Sequence, residues 1–192
     1  MVRNKIYYAG IGSRVIPVDI KQQMVDLGTY FAHKGLILRS GGAYGSDMAF
    51  ENGCDEVQGE KEIFLPWKGL NGNRSKLCTP SLAAMELAAN LHPLYYHLSM
   101  AARKLIGRNV HQILGEQLDI PVSFVVCYTP DKCESHLTYS KNTGGTGTAI
   151  SLASQHQIPI FNLANKNRYW DCINFVEKLL ERLDGKSSEV IS

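Results

Sequence analysis

Short apolar runs alternate with longer amphipathic segments along the chain. Residues 6–9 and 36–39 are two such runs, and between them apolar side chains recur every three or four positions from Ile20 to Phe31. An apolar run bounded by turn residues predicts a strand, whereas apolar spacing of three and four predicts one face of a helix. Strands that alternate with helices indicate a parallel sheet with helices packed against it.

The same pattern continues through the chain and predicts five strands. The predicted strands are residues 6–9, 36–39, 63–65, 122–127 and 159–161, and the predicted helices begin near residues 17, 46, 81, 98, 149 and 170. No repeat or linker divides the sequence, so we expect one Rossmann-like α/β domain over residues 1–184, with helices on both faces of a parallel β-sheet. Residues 185–192 are predicted to be a flexible tail.

Charge and cysteine content argue against several classes of protein. The 20 Lys and Arg residues against 18 Asp and Glu residues give a net charge of +2, which disfavours a protein that coats nucleic acid by charge alone. No apolar run approaches the ~18 residues of a membrane span, and the N-terminal residues do not resemble a signal peptide, so we expect a cytoplasmic protein without membrane contact. The five cysteines include no C-x-x-C pair, which predicts reduced thiols, no metal site and no bound cofactor.

Three glycine-rich segments lie at predicted strand ends or helix starts. They are Gly10-Ile11-Gly12-Ser13-Arg14 after the first strand, Ser40-Gly41-Gly42-Ala43-Tyr44-Gly45-Ser46-Asp47 after the second, and Gly144-Gly145-Thr146-Gly147-Thr148 before a helix. In a parallel sheet such segments meet at the carboxyl edge, where helix N-termini present free N–H groups. Glycine lets several N–H groups approach a phosphate, and the hydroxyls of Ser13, Thr146 and Thr148 add donors.

One such turn alone fits an ordinary strand-to-helix connection, but three in one sheet favour a phosphate site. Val15 stands where a G-x-G-x-x-G fingerprint needs its third glycine, and no G-x-x-x-x-G-K-[ST] segment is present, so neither an NAD fingerprint nor a P-loop is indicated. Arg14 lies within the first turn, and Arg108 with its neighbour Asn109 precedes the fourth predicted strand. Both arginines are predicted to clamp phosphate, because a guanidinium matches its geometry with two donors.

These segments carry a resemblance to known families. Residues 40–47 resemble the S-G-G-A-x-G-x-D signature of the DNA-processing protein A (DprA) family, and residues 9–14 resemble the opening strand and turn of that family. Residues 144–148 are similar to the G-G-x-G-T element of the LOG phosphoribohydrolases. Both families belong to the Rossmann-like, nucleotide-binding SLOG superfamily, and the resemblance covers residues 6–163. With residues 64–69 and 107–109 included, the chain most resembles DprA-like proteins of bacteriophages.

The resemblance implies a nucleotide site. It implies that the glycines of the second turn and residues 144–148 bind the phosphate, and that Arg108 corresponds to the active-site arginine of LOG-like enzymes. With the candidates taken from the residues themselves, the predicted nucleotide-binding residues are Gly10, Gly12, Ser13, Arg14, Ser40, Gly41, Gly42, Gly45, Asp47, Arg108, Asn109, Gly144, Gly145, Thr146, Gly147 and Thr148.

The chain departs from the LOG pattern at the catalytic carboxylate. The pattern P-G-G-x-G-T-x-x-E places its glutamate on Ser151 and its proline on Thr143. The carboxylate that would stabilise an oxocarbenium-like transition state is therefore missing from that position. Glu51 or Asp47 could replace it from the second turn, but Asp47 fits a helix-capping role equally well.

Three hypotheses follow for the function. The preferred one is a homo-oligomeric protein that binds a nucleotide or a nucleotide-derived signalling molecule, which it would sequester in a host if it comes from a phage. The alternative is an N-glycosidic hydrolase that releases the base from a nucleoside monophosphate. The second alternative is a DprA-like mediator that binds single-stranded DNA, and the low net charge and the lack of a basic stripe disfavour it. Fold similarity alone does not choose among them.

Overall fold

The computed structural model describes residues 5–189, which form a parallel sheet with helices on both faces. The strands are β1 (Tyr7–Gly12), β2 (Ile37–Ser40), β3 (Lys61–Ile63), β4 (Phe124–Tyr128) and β5 (Ile160–Asn162). The helices are α1 (Val18–His33), α2 (Ser46–Glu56), α3 (Leu82–Leu91), α4 (Met100–Leu114), α5 (Gly147–Gln155) and α6 (Arg168–Glu189). Short 3-10 turns lie at Leu70–Gly72, Tyr95–His97 and Lys141–Thr146.

The sheet has the order β3-β2-β1-β4-β5, and every neighbouring pair is parallel. Ala9 in β1 pairs with Arg39 on one side and with Val125 on the other, which fixes the register at the centre. The predicted α/β fold class, with a Rossmann-like parallel sheet, is confirmed. The direction in which successive strands are added reverses at β1, so the crevice between the carboxyl ends of β1 and β4 is the expected place for a ligand.

Two apolar layers hold the sheet between the helices. Tyr8 and Ala9 follow each other in β1 and are both fully buried, but they belong to different clusters because successive strand residues point to opposite faces. The cluster that contains Tyr8 joins the sheet to α1, α2 and α6, and it includes the rings of Phe31, Phe50 and Phe124. The cluster that contains Ala9 joins the sheet to α3, α4 and α5.

Local signals explain where the helices begin and end. The side chains of Ser81 and Ser99 accept hydrogen bonds from backbone N–H groups in the first turns of α3 and α4. Gly115, with φ of 82°, follows the last residue of α4 and ends the helix. Among residues 5–189, no helix is both long and apolar enough to cross a membrane.

Several element boundaries differ from the sequence prediction, among them those of the third strand and of the last helix. The prediction placed the third strand at 63–65, but β3 ends at Ile63, and the buried residues Phe64 and Leu65 continue beyond it toward the next loop. Leu65 pairs there with Cys78 in an isolated bridge, and its side chain still belongs to the apolar core that contains Tyr8. Helix α6 runs to Glu189, which makes the first part of the predicted tail helical, while residues 190–192 lie outside the described part of the chain.

A substitution at Phe124 tests whether the aromatic layer is the core of the protein. Its ring is fully buried and stacks on Tyr8 with centroids 5.6 Å apart. Replacing it with alanine removes these contacts and leaves a cavity, so we expect Phe124→Ala to lower the free energy of unfolding by ~3–5 kcal/mol in urea denaturation. Leu82→Ala, at a position that is 83% exposed, should change it by less than ~0.5 kcal/mol. Similar losses for both variants would contradict the assignment of this layer as the core.

Candidate functional site

A cleft of about 410 Å³ opens at the carboxyl edge of the sheet, at the point where the strand order reverses. It lies beside the ends of β1 and β4 and is covered by α4 on one side. Its lining comprises Ile11, Gly12, Ser13, Arg14 and Val15 after β1; Ala43 and Asp47 at the start of α2; Leu105, Ile106, Arg108, Asn109 and Gln112 on α4; and Pro130, Asn142, Thr143, Gly144, Gly145 and Thr146 after β4. All three glycine-rich segments therefore contribute to one cleft.

The predicted residues divide into those that line the cleft and those that lie outside its lining. Gly12, Ser13, Arg14, Asp47, Arg108, Asn109, Gly144, Gly145 and Thr146 line it. Outside the lining are Gly10, Ser40, Gly41, Gly42, Gly45, Gly147 and Thr148. The roles of both groups as nucleotide-binding residues stay predictions; the structure shows only which of these positions line the cleft.

Arg108 and Asp47 form a buried ion pair in the wall of the cleft. The Arg108 guanidinium lies 3.3 Å from the Asp47 carboxylate, and the two side chains are only 8% and 3% exposed. Asp47 also accepts a hydrogen bond of 3.3 Å from the backbone N–H of Ala43, so it ties the second glycine turn to α4. Its carboxylate makes no cap at the start of α2, which leaves the ion pair as its main contact.

Gly41 and Gly45 support this wall because a side chain at either position would collide with it. A Cβ on Gly41 would lie 1.8 Å from Arg108 Nη1, and a Cβ on Gly45 would lie 2.3 Å from the carbonyl oxygen of Arg14. Gly45 also has φ of 83°, a conformation that glycine adopts without strain. The second turn therefore needs glycine at these two positions for packing, independently of any contact with a ligand.

For each member of this pair, burial and the charge of the partner shift the pKa in opposite directions. Burial raises the pKa of Asp47, and the positive charge of Arg108 opposes that rise without cancelling it. Burial lowers the pKa of Arg108, Asp47 opposes this change, and the positive charge of Arg14 lowers that pKa further. Arg14 is thus close enough to repel Arg108 electrostatically, and within the described residues it has no ion-pair partner. With Asp47 neutralising one guanidinium, the cleft keeps an excess of positive charge.

The third glycine turn faces open space. Gly144 has φ of 63° and ψ of −154°, values that favour glycine, and a Cβ on Gly144 or Gly145 would meet no atom within 4 Å. The Asn109 side chain donates a 2.7 Å hydrogen bond to the carbonyl oxygen of Gly145 and so holds the turn against α4. Helix α5 starts within this segment at Gly147, whose N–H donates a hydrogen bond to the carbonyl oxygen of Gly144, so the turn leads directly into the helix.

Apolar side chains form another part of the lining. They are Val15, which is 85% exposed, and Leu105, Ile106 and Pro130. A charged end and an apolar wall in one small cavity are typical of sites that bind an organic anion.

Sequence reasoning missed several lining residues on α4 and after β4. Leu105 and Gln112 lie three and four positions from Arg108, so helical spacing alone would have placed them on the same face. Thr143 and Asn142 precede the third turn directly, but no motif marks them. Pro130 carried no sequence signal, because its position depends on how the loop after β4 folds back.

Glu51 lies outside the cleft, so it does not replace the missing catalytic carboxylate there. Its carboxylate accepts hydrogen bonds of 2.9 Å from Lys61 and 3.0 Å from Asn73. Ser151, which stands at the glutamate position of the LOG pattern, is buried in α5 and does not line the cleft. Asp47 is therefore the carboxylate of the two candidates that the cleft contains.

The cysteines do not form a reactive site in the described residues. All five are free thiols, and burial raises the pKa of Cys127 and Cys172 well above the ordinary value. Thiols in such surroundings are poor nucleophiles. Residues 5–189 also contain no group of three His, Cys, Asp or Glu side chains that could hold a metal ion.

Comparison with solved structures finds proteins that share this fold. No protein-family model matches the sequence, and no curated protein matches it. The fold is similar to that of DNA processing protein A. The solved structure from Helicobacter pylori, whose description concerns its single-stranded DNA binding mode, has a TM-score of 0.54 at 16% identity, over 92% of this chain and 81% of that chain.

Two molybdenum cofactor proteins have a lower similarity. The molybdenum cofactor binding protein from Rippkaea orientalis has a TM-score of 0.46 at 15% identity, over 92% of this chain and 98% of that chain. The molybdenum cofactor carrier protein from Chlamydomonas reinhardtii has a TM-score of 0.44 at 15% identity, over 93% of this chain and 99% of that chain. At these identities the similarity is one of fold.

Removing one partner of the buried ion pair should lower the stability of the protein by an amount that depends on pH. Arg108→Met removes the positive charge beside buried Asp47, which should cost ~3–5 kcal/mol of unfolding free energy near neutral pH. The pKa of Asp47 is already raised in the folded protein and rises further without Arg108, so the folded variant holds a proton that the unfolded chain releases. Stability of the variant should therefore fall as pH rises, and the defect should be larger at about pH 8 than at about pH 5.

Urea denaturation at both pH values measures this effect. The double variant Asp47→Asn/Arg108→Met has no buried charge left to titrate, so its defect should be smaller and nearly independent of pH. An Arg108→Met defect of equal size at both pH values would contradict the proposed coupling.

Proposed function

We propose that the protein binds a nucleotide or a nucleotide-derived molecule through its phosphate in this cleft. The observation that carries the proposal is the approach of Arg14 and Arg108 to the same small cavity, which the third glycine turn also lines. Charge-assisted hydrogen bonds from guanidinium groups and backbone N–H groups near a helix N-terminus are the usual means of holding phosphate. Asp47 compensates Arg108, so the excess charge that attracts the phosphate belongs mainly to Arg14.

The size and lining of the cleft support a small ligand. A volume of about 410 Å³ lies in the range of ~300–1,000 Å³ that is common for small-molecule sites. With the phosphate near Arg14 and Gly144, the apolar wall of Val15, Leu105 and Ile106 is left for a base or another flat group. That the ligand is sequestered in a phage-infected host, that the protein acts in the cytoplasm and that it forms a homo-oligomer stay predictions from the sequence.

The alternative function is that of an N-glycosidic hydrolase, and the position of Asp47 supports it. Asp47 is a carboxylate inside the cleft, which a reaction through an oxocarbenium-like transition state requires. Its pairing with Arg108 makes it a weaker candidate, because its negative charge is already compensated. Binding of single-stranded DNA is suggested by the fold alone.

Calorimetry with ligand-free protein tests the proposal. We expect at least one compound in a panel of nucleoside mono- and diphosphates, cyclic nucleotides and ADP-ribose derivatives to bind. Arg14→Ala should weaken the binding of that compound about tenfold or more, because it removes a charge-assisted hydrogen bond to phosphate. Arg74→Ala is the matched control, since Arg74 is exposed and does not line the cleft.

The same samples separate the three functions. Release of free base from a nucleoside monophosphate, abolished by Asp47→Ala, would favour the hydrolase. Salt-sensitive binding of an oligonucleotide with no response to mononucleotides would favour the DNA-binding function. Protein that binds no compound of the panel would refute the proposed function.

A further inference from the structure

The third glycine turn is ordered by few contacts of its own. Gly144 has a backbone conformation that favours glycine, and Gly144 and Gly145 are both exposed with open space where side chains would lie. Glycine has more conformational freedom in the unfolded chain than any other residue, so an exposed pair of glycines is costly to order. One backbone hydrogen bond, from the Gly147 N–H to the Gly144 carbonyl oxygen, lies within the turn, and contacts with neighbouring segments add to it.

Asp131, in the loop after β4, makes such contacts with the segment before the turn. Its Oδ2 atom accepts a 2.6 Å hydrogen bond from the Ser140 hydroxyl and a second, short hydrogen bond from the Thr143 hydroxyl. Thr143 is almost fully buried and directly precedes Gly144. One carboxylate oxygen thus joins both ends of the segment from Ser140 to Thr143.

The same two hydroxyls also close the backbone of this segment. Thr143 Oγ1 accepts a 2.9 Å hydrogen bond from the N–H of Ser140, and Ser140 Oγ accepts a 3.1 Å hydrogen bond from the N–H of Asn142. Each hydroxyl has one proton to donate, and an ionised carboxylate accepts both of them. Replacement of Asp131 by a side chain without an acceptor would leave both hydroxyl protons without this partner.

The environment keeps Asp131 ionised. Burial raises the pKa of this carboxyl, but hydrogen bonds from Ser140, Thr143 and Thr129 outweigh that effect, so its pKa lies below the ordinary value. The carboxylate is therefore an acceptor near neutral pH.

We infer that Asp131 is a positioning residue that holds the Gly144 turn in its phosphate-binding conformation. It acts together with Asn109, which holds the carbonyl oxygen of Gly145 from α4 on the other side. Asp131 itself does not line the cleft, so its effect on a ligand passes through the turn. This inference rests on the proposed function, because it assigns the turn to the phosphate of the ligand.

Binding of adenosine and guanosine 5′-monophosphates, the matching nucleosides and inorganic phosphate tests the inference. Asp131→Ala should weaken the binding of the monophosphates and of inorganic phosphate about tenfold, because the turn no longer presents its donors in one arrangement. Binding of the nucleosides should change by less than about twofold, because their contacts lie on the apolar wall. A general loss of structure would weaken the binding of nucleotides and the binding of nucleosides alike.

Two variants serve as comparisons. Asp131→Asn keeps one carbonyl acceptor for the hydroxyls, so it should recover part of the phosphate affinity that Asp131→Ala loses. Asp171→Ala removes a carboxylate from the ion pair with Arg168, which lies outside the cleft, and it should leave phosphate affinity unchanged.

Amide hydrogen exchange of the ligand-free proteins separates this inference from the proposed function. In Asp131→Ala, exchange of residues 140–146 should accelerate about tenfold or more, while the strands keep their protection. If that occurs but the wild type binds neither these probes nor any compound of the wider nucleotide panel, Asp131 still orders the turn, and it is the proposed function that fails. If the wild type binds the monophosphates and Asp131→Ala binds them equally well, the inference is overturned. Unchanged exchange at residues 140–146 would also overturn it.

Discussion

The buried ion pair between Arg108 and Asp47 is the constraint on which the site depends. It joins α4, on one face of the sheet, to the first turn of α2 on the other face, across the carboxyl edge. Two charges in such surroundings are tolerated only together, because either one alone would bear an uncompensated desolvation cost of several kcal/mol. Gly41 follows from this pair, since a side chain there would push against Arg108, whereas Gly45 is required by its close approach to the backbone of Ser13 and Arg14.

The wall that contains this pair is not optimised for stability. Arg108 Nε and Gln112 Nε2 are buried and have no hydrogen-bond partner in the described residues, and each such donor costs ~1–3 kcal/mol. An apolar side chain at Gln112 would avoid that cost without a change in the fold. Both donors belong to residues that line the cleft. The exposed glycines of the third turn likewise are expensive to order and contribute little to the core.

The sequence predicted the architecture well because the apolar pattern follows directly from burial. The alternation at Tyr8 and Ala9 places these residues in two layers, and that pattern is visible without a structure. The boundary of β3 was wrong because Phe64 and Leu65 stay buried after the strand has ended, the first stacked on His111 and the second in the core, and burial alone does not mark the end of a strand.

The site was predicted less completely, because glycine has two uses that the sequence does not separate. Gly41 and Gly145 stand in similar motifs, but the first packs against Arg108 and the second faces open space. The difference depends on side chains about 70 and about 35 positions away along the chain, which only the folded arrangement brings close.

Arg14 is a second residue whose surroundings the sequence does not reveal. Its charge was visible in the sequence, yet its importance comes from a neutralised neighbour: once Asp47 compensates Arg108, the excess positive charge of the cleft rests mainly on Arg14.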